Sequence, residues 1–148
     1  MNYIELDDAE DYFALRLHTD AWDDAEEEDR TIALTMATKI IDQFNYKGEK
    51  TSEVQENEFP RGGDTVVPTE IQEACCEIAL KLLDEIDPDI EIDNLNKVSS
   101  AFASVKSNYD KSFIPEHLTV GVPSATAWKQ MVPYLRDTKS VTLSRNQP

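Results

Sequence analysis

Residues able to do chemistry are scattered thinly along this chain. His18 and His117 stand alone, with no Cys, Asp or Glu at the spacing of a recognised metal site. Cys75 and Cys76 are neighbours, which on a helix project about 100° apart and make a poor structural disulfide. Cys75 falls on an apolar stripe and reads as a small core residue, whereas Cys76 lies off its centre and is at most a stray thiol. Phe59-Pro60-Arg61-Gly62-Gly63 has the glycines of a phosphate-binding loop but lacks its Lys-Ser/Thr and its spacing; a rigid turn at Pro60 that aims Arg61 is the better reading. Serines and carboxylates are plentiful, yet no nucleophile elbow, zinc motif or calcium loop can be assembled from them. The sequence therefore predicts no enzyme, no resident cofactor and no metal centre. It points to a binding or assembly protein.

Charge supports that direction. The net charge of −16 is unevenly spread: residues 1–93 carry 27 acids and 7 bases, residues 94–148 carry 3 acids and 7 bases. An acidic body argues against general affinity for phosphate backbones, which requires clustered Lys and Arg. No apolar run approaches the roughly 18 residues of a membrane span, and the N-terminus MNYIELDD lacks the basic and apolar regions of a signal peptide. A soluble chain in a reducing cytosol, without a membrane partner, is expected.

The elements that would position any site are mostly helices. In residues 67–87, Ile71, Ala74, Cys75, Ile78, Ala79, Leu82, Leu83 and Ile86 form one continuous stripe at helical spacing. Pro68 suits the first helical position and Pro88 stops the helix. Residues 7–17 repeat the pattern on a smaller scale with Ala9, Tyr12, Phe13 and Leu17, and Thr19 or Asp20 caps a short turn bearing Trp22. Glu26, Glu27, Glu28 and Asp29 form an acidic first turn for a helix to Phe44, whose apolar face is Ile32, Ala33, Met36, Ala37, Ile40, Ile41 and Phe44. The fold class that follows is mainly α: a small antiparallel helical bundle, residues 1–93, in which three stripes bury one another. Residues 45–67, with Gly48, Pro60, Gly62 and Gly63, are a long functional or mobile loop.

Residues 94–148 read as an extended C-terminal assembly arm with short β segments and one short helix. The Ser-rich stretch 95–109 alternates imperfectly in the manner of a strand, residues 140–143 form a second possible strand, and Ser124 caps a helix, Ala125–Met131. A stretch with so few apolar positions cannot offset the backbone entropy of ordering, about 1–2 kcal/mol per residue, without lying on another surface. Trp128, Tyr134 and Leu135 are the anchors expected at that interface, with Arg136 and Arg145 seeking acids. The alternative is that residues 124–135 fold back on their own bundle.

The order of landmarks is itself informative. Ala9, Tyr12-Phe13, Arg16-Leu17 and Trp22 precede the acidic turn; Ala33-Leu34, Ala37-Thr38 and Ile41-Asp42 follow; then come Tyr46-Lys47-Gly48, Phe59-Pro60-Arg61, Val67-Pro68, Ile71, Ala74, Glu77, Ala79-Leu80, Leu82-Leu83 and finally Pro133-Tyr134-Leu135. This series resembles the head–tail adaptor (connector) proteins of tailed bacteriophages, and more closely the branch labelled DnaT-like single-stranded-DNA-binding protein. The resemblance covers residues 7–84 well and the tail more loosely. It implies a virion structural protein at the neck, made in the host cytoplasm, that forms a homo-oligomeric, twelve-membered ring beneath the portal. The portal and a tail or neck protein would be its partners, and DNA would pass through the lumen without specific binding. In such a ring some of Glu26, Glu27, Glu28, Asp29, Glu53, Glu56 and Glu58 are expected to line or rim the channel, because a like-charged wall keeps DNA from adhering.

Two other functions remain open at this level. One is a single-stranded-DNA-binding module, for which the sequence offers no groove of aromatic residues interleaved with Lys and Arg. The other is an acidic regulator that mimics DNA or binds a basic partner. Salt-dependent retention on single-stranded DNA would favour the first of these, monomeric behaviour with a tight basic partner the second.

Overall fold

Helix α4, Thr69–Leu83, is the element around which the others are arranged. The structure, a computed structural model, describes residues 1–103 and 114–136. In chain order the remaining helices are α1 (Leu6–Ala14), α2 (Asp20–Asp23), α3 (Glu27–Ile41), α5 (Pro88–Ala103), α6 (Glu116–Thr119) and α7 (Ala125–Met131), which runs into a 3₁₀ turn at Val132–Tyr134. The protein is mainly α, and the described residues contain no sheet; their only β pairing is two isolated antiparallel bridges, Tyr46 with Leu135 and Lys50 with Arg61.

α3 and α4 lie antiparallel. Cys75 at mid-α4 meets Thr38 at 3.5 Å and Leu34 O at 3.6 Å. Beyond the end of α3, Tyr46 pairs with Leu135, and the adjoining Tyr134 hydroxyl donates to Glu70 at the start of α4 at 2.9 Å. α4 is more enclosed than its single stripe predicts. Everything from Ala74 to Leu80 is buried, including Cys76 and Glu77, because α3, α7, α1 and α2 each take a side. Cys76 is accordingly a core residue, not a stray thiol. Burial pushes the Cys75 thiol up to about 11 and Cys76 higher still, so both are inert at neutral pH.

α4 ends at Leu83, a turn short of the sequence expectation, and Pro88 does not terminate it. Ile86 N donates to Lys81 O and Glu85 N to Leu82 O, with Glu85 in the left-handed region at φ 62°. This is the 6→1 and 5→2 closure of a Schellman cap. Pro88 instead opens α5, where its missing N–H costs nothing, and the Asp87 side chain caps that helix by accepting from Asp89 N at 2.9 Å.

α5 corrects the largest misreading. Residues 95–103 are helical, not a strand or extended arm. No Gly or Pro interrupts 89–103, and Leu95, Val98 and Phe102 repeat at i, i+3 and i+7, a stripe that the Ser-rich composition masked. The short β segments expected of the arm are absent from the described residues; the possible strand at 140–143 lies outside them. α7 forms as predicted, with Ser124 Oγ accepting from Ala127 N at 3.1 Å.

Two faces are also turned from their expected setting. α3 buries Ala33, Leu34, Ala37, Thr38 and Ile41 and leaves Ile32 and Met36 about half exposed, a rotation of roughly one residue. α1 stops at Ala14, so Leu17 is outside the core. The irregular segment before α1 compensates by inserting Tyr3, whose N–H donates to Thr38 Oγ1 at 3.1 Å and whose hydroxyl donates to Asp42 and accepts from Phe59 N.

Burial raises the hydroxyls of Tyr3 and Tyr46 well above the ordinary tyrosine value of 10.0. A group raised on folding lends stability that is complete below its unfolded pKa and is lost as pH climbs through the window between the two values. Stability should therefore fall from about pH 10 upward, at up to about 1.4 kcal/mol per pH unit for each tyrosine. Urea midpoints between pH 8 and 11 read this directly, and Tyr3→Phe should flatten the slope.

Candidate functional site

The loop after α3 is held by an arginine. Arg61 donates to Lys47 O at 2.9 Å, Gly48 O at 2.5 Å, Glu58 O at 3.1 Å and Tyr46 O at 3.3 Å, and lies 3.8 Å from the Glu58 carboxylate. Arg61 is thus turned inward as a staple across its own loop; the turn at Pro60, whose bond to Phe59 is cis, does not aim it at solvent. Five donors in a rigid fork suit that task, since each carbonyl of an irregular loop needs a partner.

Beside the staple the chain returns after α7 and pairs with the loop. Lys47 N donates to Tyr134 O at 2.8 Å and Arg136 N to Asn45 O at 3.0 Å, on either side of the Tyr46–Leu135 bridge. Alternation about the bridge sends Tyr46 and Leu135 to one side and Lys47 and Arg136 to the other, while Tyr134, the last residue of the 3₁₀ turn, packs on Phe59. Tyr46 enters the core, and Lys47 and Arg136 are exposed. Beside Lys47 opens a cleft of about 200 Å³ walled by Phe59, Pro68, Pro133 and Tyr134, with Lys47, Arg61 and Asp64 at its margin. The Tyr134 ring stands edge-on to Phe59 at 5.7 Å, which fixes its orientation. A flat aromatic wall with an exposed lysine and arginine nearby can accept a planar base and its phosphate.

The expected arm anchors are spent within their own chain. Trp128 packs on Phe44 at 5.4 Å between ring centroids, Tyr134 on Phe59, and Leu135 against the same core, while Val122, Ala127 and Met131 are fully buried. Gln130 Nε2 adds a bond to Glu73 at 2.9 Å. Trp128, Tyr134 and Leu135 thus pack on their own bundle, as the fold-back alternative expects, and each stays partly exposed. Arg136 is exposed, and Arg145 lies outside the described residues.

The candidate channel acids fall in two groups. Glu26, Glu27, Glu28 and Asp29 are exposed at the start of α3, a 15-residue helix about 22 Å long, and Glu53, Glu56 and Glu58 belong to the loop beyond its end. Glu58 is half-buried and neutralised by Lys50 at 3.4 Å and by Arg61, so it is not a free surface charge. Glu56 lies 3.9 Å from the N-terminal amine.

One pair escaped sequence reading altogether. Glu77, 2 % exposed, accepts from Arg16 Nε at 2.7 Å, Arg16 Nη2 at 2.8 Å and Tyr12 Oη at 2.8 Å. The hydrogen bond to Glu77 raises the Arg16 guanidinium further above its already high pKa. The only signal in the sequence is an acid set inside the otherwise apolar run 74–80. Arg30 is consumed likewise, donating to Trp22 O at 2.8 Å, Asp23 O at 3.0 Å and Glu10 at 3.3 Å, with its guanidinium 5.3 Å from the Trp22 ring centre. His117 only ties a turn through Val122 O at 2.9 Å.

Among the described residues no His, Cys, Asp or Glu group is arranged to hold a metal, and no helix is long and apolar enough to cross a membrane. Comparison with curated proteins and with solved structures gives no match. Residues 2–137 match the family model described as "Putative DnaT-like ssDNA binding protein". Since that match spans nearly the whole chain, the protein belongs to the DnaT-like ssDNA-binding protein family.

Proposed function

We propose that the chain contacts single-stranded DNA through the cleft between the 45–67 loop and the Val132–Tyr134 turn. The observation that carries this reading is an apolar slot walled by Phe59 and Tyr134 with the exposed Lys47 at its margin, next to the paired backbone from which the exposed Arg136 projects. Base–aromatic stacking is tolerant of sequence and contributes about 1–3 kcal/mol per base. Among the described residues, Lys47 at the slot and Arg136 on the paired backbone beside it are the exposed cations of this region, Arg61 being engaged with its own loop; the body is acidic, so stacking carries the contact and the salt dependence is shallow. For two neutralised phosphates on a single strand the log–log slope should be about −1.4.

Fluorescence anisotropy with a labelled oligothymidylate tests it. Binding should appear at low salt, weaken with roughly that slope, and fall about tenfold in Tyr134→Leu, which keeps the apolar contact but removes the aromatic face. Lys47→Glu should weaken it further. A chain that ignores the oligonucleotide at the lowest salt, or binds it unchanged after both substitutions, would refute the assignment.

A second reading, a head–tail adaptor of a phage virion, is favoured by a different observation. All three arginines of residues 1–93 are paired inward, and every acid in residues 1–30 is exposed, leaving a surface past which a phosphate backbone slides. In that role the chain would form a ring at the virion neck with portal and tail proteins as neighbours. Electron microscopy of the full chain mixed with the portal of the same virion decides the matter: a ring seated on the portal supports it, and a persistent monomer opposes it.

A further inference from the structure

Two adjacent glycines shape one margin of the slot. Asp64 N donates to Arg61 O at 3.2 Å, and between them Gly62 and Gly63 take φ 65° and 87°, the left-handed pair of a type I′ turn. Glycine enters those values without strain, and a Cβ at either position would meet nothing within 4 Å, so backbone conformation and not crowding demands both. The turn is tied to the strand of loop that precedes it. Gly62 N donates to Glu49 O at 2.9 Å, and Asp64 O accepts from Thr51 Oγ1 at 2.8 Å. The backbone of Asp64 is thus anchored on both sides, while its side chain is exposed and, among the described residues, its carboxylate has no hydrogen-bond or ion-pair partner.

Asp64 lines the aromatic slot together with Lys47, Phe59, Pro68 and Tyr134. Burial, the hydrogen bond to Glu70 and the charges of Glu70 and Asp64 together raise the Tyr134 phenol above its ordinary value, so the Asp64 carboxylate lies near that ring. The other polar side chains of the slot are committed. Arg61 spends Nε, Nη1 and Nη2 on the carbonyls of Lys47, Glu58, Tyr46 and Gly48, and Tyr134 Oη donates to Glu70. What remains for an incoming base is an acceptor-only carboxylate and the Lys47 ammonium. The four bases differ in what they offer such a pair. Guanine presents N1–H and its N2 amino group side by side, two donors for two carboxylate oxygens, and keeps O6 as an acceptor for a cation. Adenine and cytosine present one amino donor beside a ring nitrogen whose lone pair faces the carboxylate. Thymine presents a single N–H between two carbonyls. Unpaired bases expose these edges, and proteins that bind single strands read them there. We infer that Asp64 makes the slot selective for guanine in single-stranded DNA, accepting N1–H and N2–H while the ring stacks on Tyr134. This rests on the assignment of the slot to single-stranded DNA and adds to it the base that the slot prefers.

Fluorescence anisotropy of the full chain at low salt tests it, with a labelled oligothymidylate carrying a central guanine, a central inosine or no replacement. The guanine probe should bind about tenfold more tightly than plain oligothymidylate, the effect of one bidentate contact. Inosine keeps the stacking surface and N1–H but lacks the N2 amino group, so it should lose most of that gain. Asp64→Asn, whose amide offers one acceptor and one donor, should bring the guanine and thymidylate affinities together. Equal binding of the three probes would overturn the inference, as would a guanine advantage that inosine retains in full or that survives in Asp64→Asn. Each of those results leaves the stacking assignment standing. Failure of every probe to bind at the lowest salt would overturn both.

Discussion

Arg16→Met should cost about 3–5 kcal/mol of folding stability, because it leaves a carboxylate in the core with a single hydroxyl partner. Glu77 is 2 % exposed and takes two of its three hydrogen bonds from Arg16. Removing one partner of a buried pair abandons the desolvation cost of the other, whereas removing both does not. The double replacement Arg16→Met with Glu77→Met should therefore recover most of the loss, giving a coupling energy of the same order as the single effect. Urea denaturation of wild type, both single variants and the double variant measures it. An Arg16→Met midpoint equal to wild type would mean that the buried carboxylate is satisfied by something other than this pair. The same variant removes the bonds from Nη1 to Leu17 O and His18 O, so it should also loosen the turn, visible as faster amide exchange at residues 17–19.

Ile78→Asp is expected to abolish the fold. Ile78 is 0 % exposed at the centre of α4, and an unpaired carboxylate there costs several kcal/mol, against a total stability of about 5–15 kcal/mol for a small domain. Ile78→Val, which deletes one methylene and no more, should cost about 0.5–1.5 kcal/mol and keep a cooperative transition. Circular-dichroism melting of the two variants separates the effect of charge from that of volume. If Ile78→Asp melts with wild type, the burial of α4 is wrong in kind, since no rearrangement of a surface helix would be needed to accommodate the charge.

The two functional readings make opposite demands on the surface, and the surface charge differs by region. At the start of α3 and along α1 the surface is uniformly acidic. Around Lys47 and Arg136 it is not. A protein that touches single-stranded DNA at one slot while repelling duplex elsewhere would satisfy both, and the oligonucleotide and portal experiments read the two properties separately.

What the sequence determined by itself is local. The apolar period of α4, the acidic first turn of α3, the serine cap of α7 and the helical class of the body follow from spacing and capping alone, because backbone hydrogen bonding within a helix is decided by residues three and four apart. Even α5 was locally encoded, in Asp87-Pro88 and an uninterrupted run, and was missed because small polar residues also suit strands. What only the tertiary structure decided is coverage. That α4 is enclosed on nearly every side, that Ile32 and Met36 stay outside while Leu34 enters, that Arg61 staples a loop, and that Trp128 and Tyr134 serve their own core all depend on contacts between distant segments. The cleft joins residues 47, 59, 68 and 134, and the Glu77 pair joins residues 61 apart. No periodicity records which face a distant segment will cover, since burial free energy is non-directional and belongs to the assembled surface, not to the stretch that contributes it.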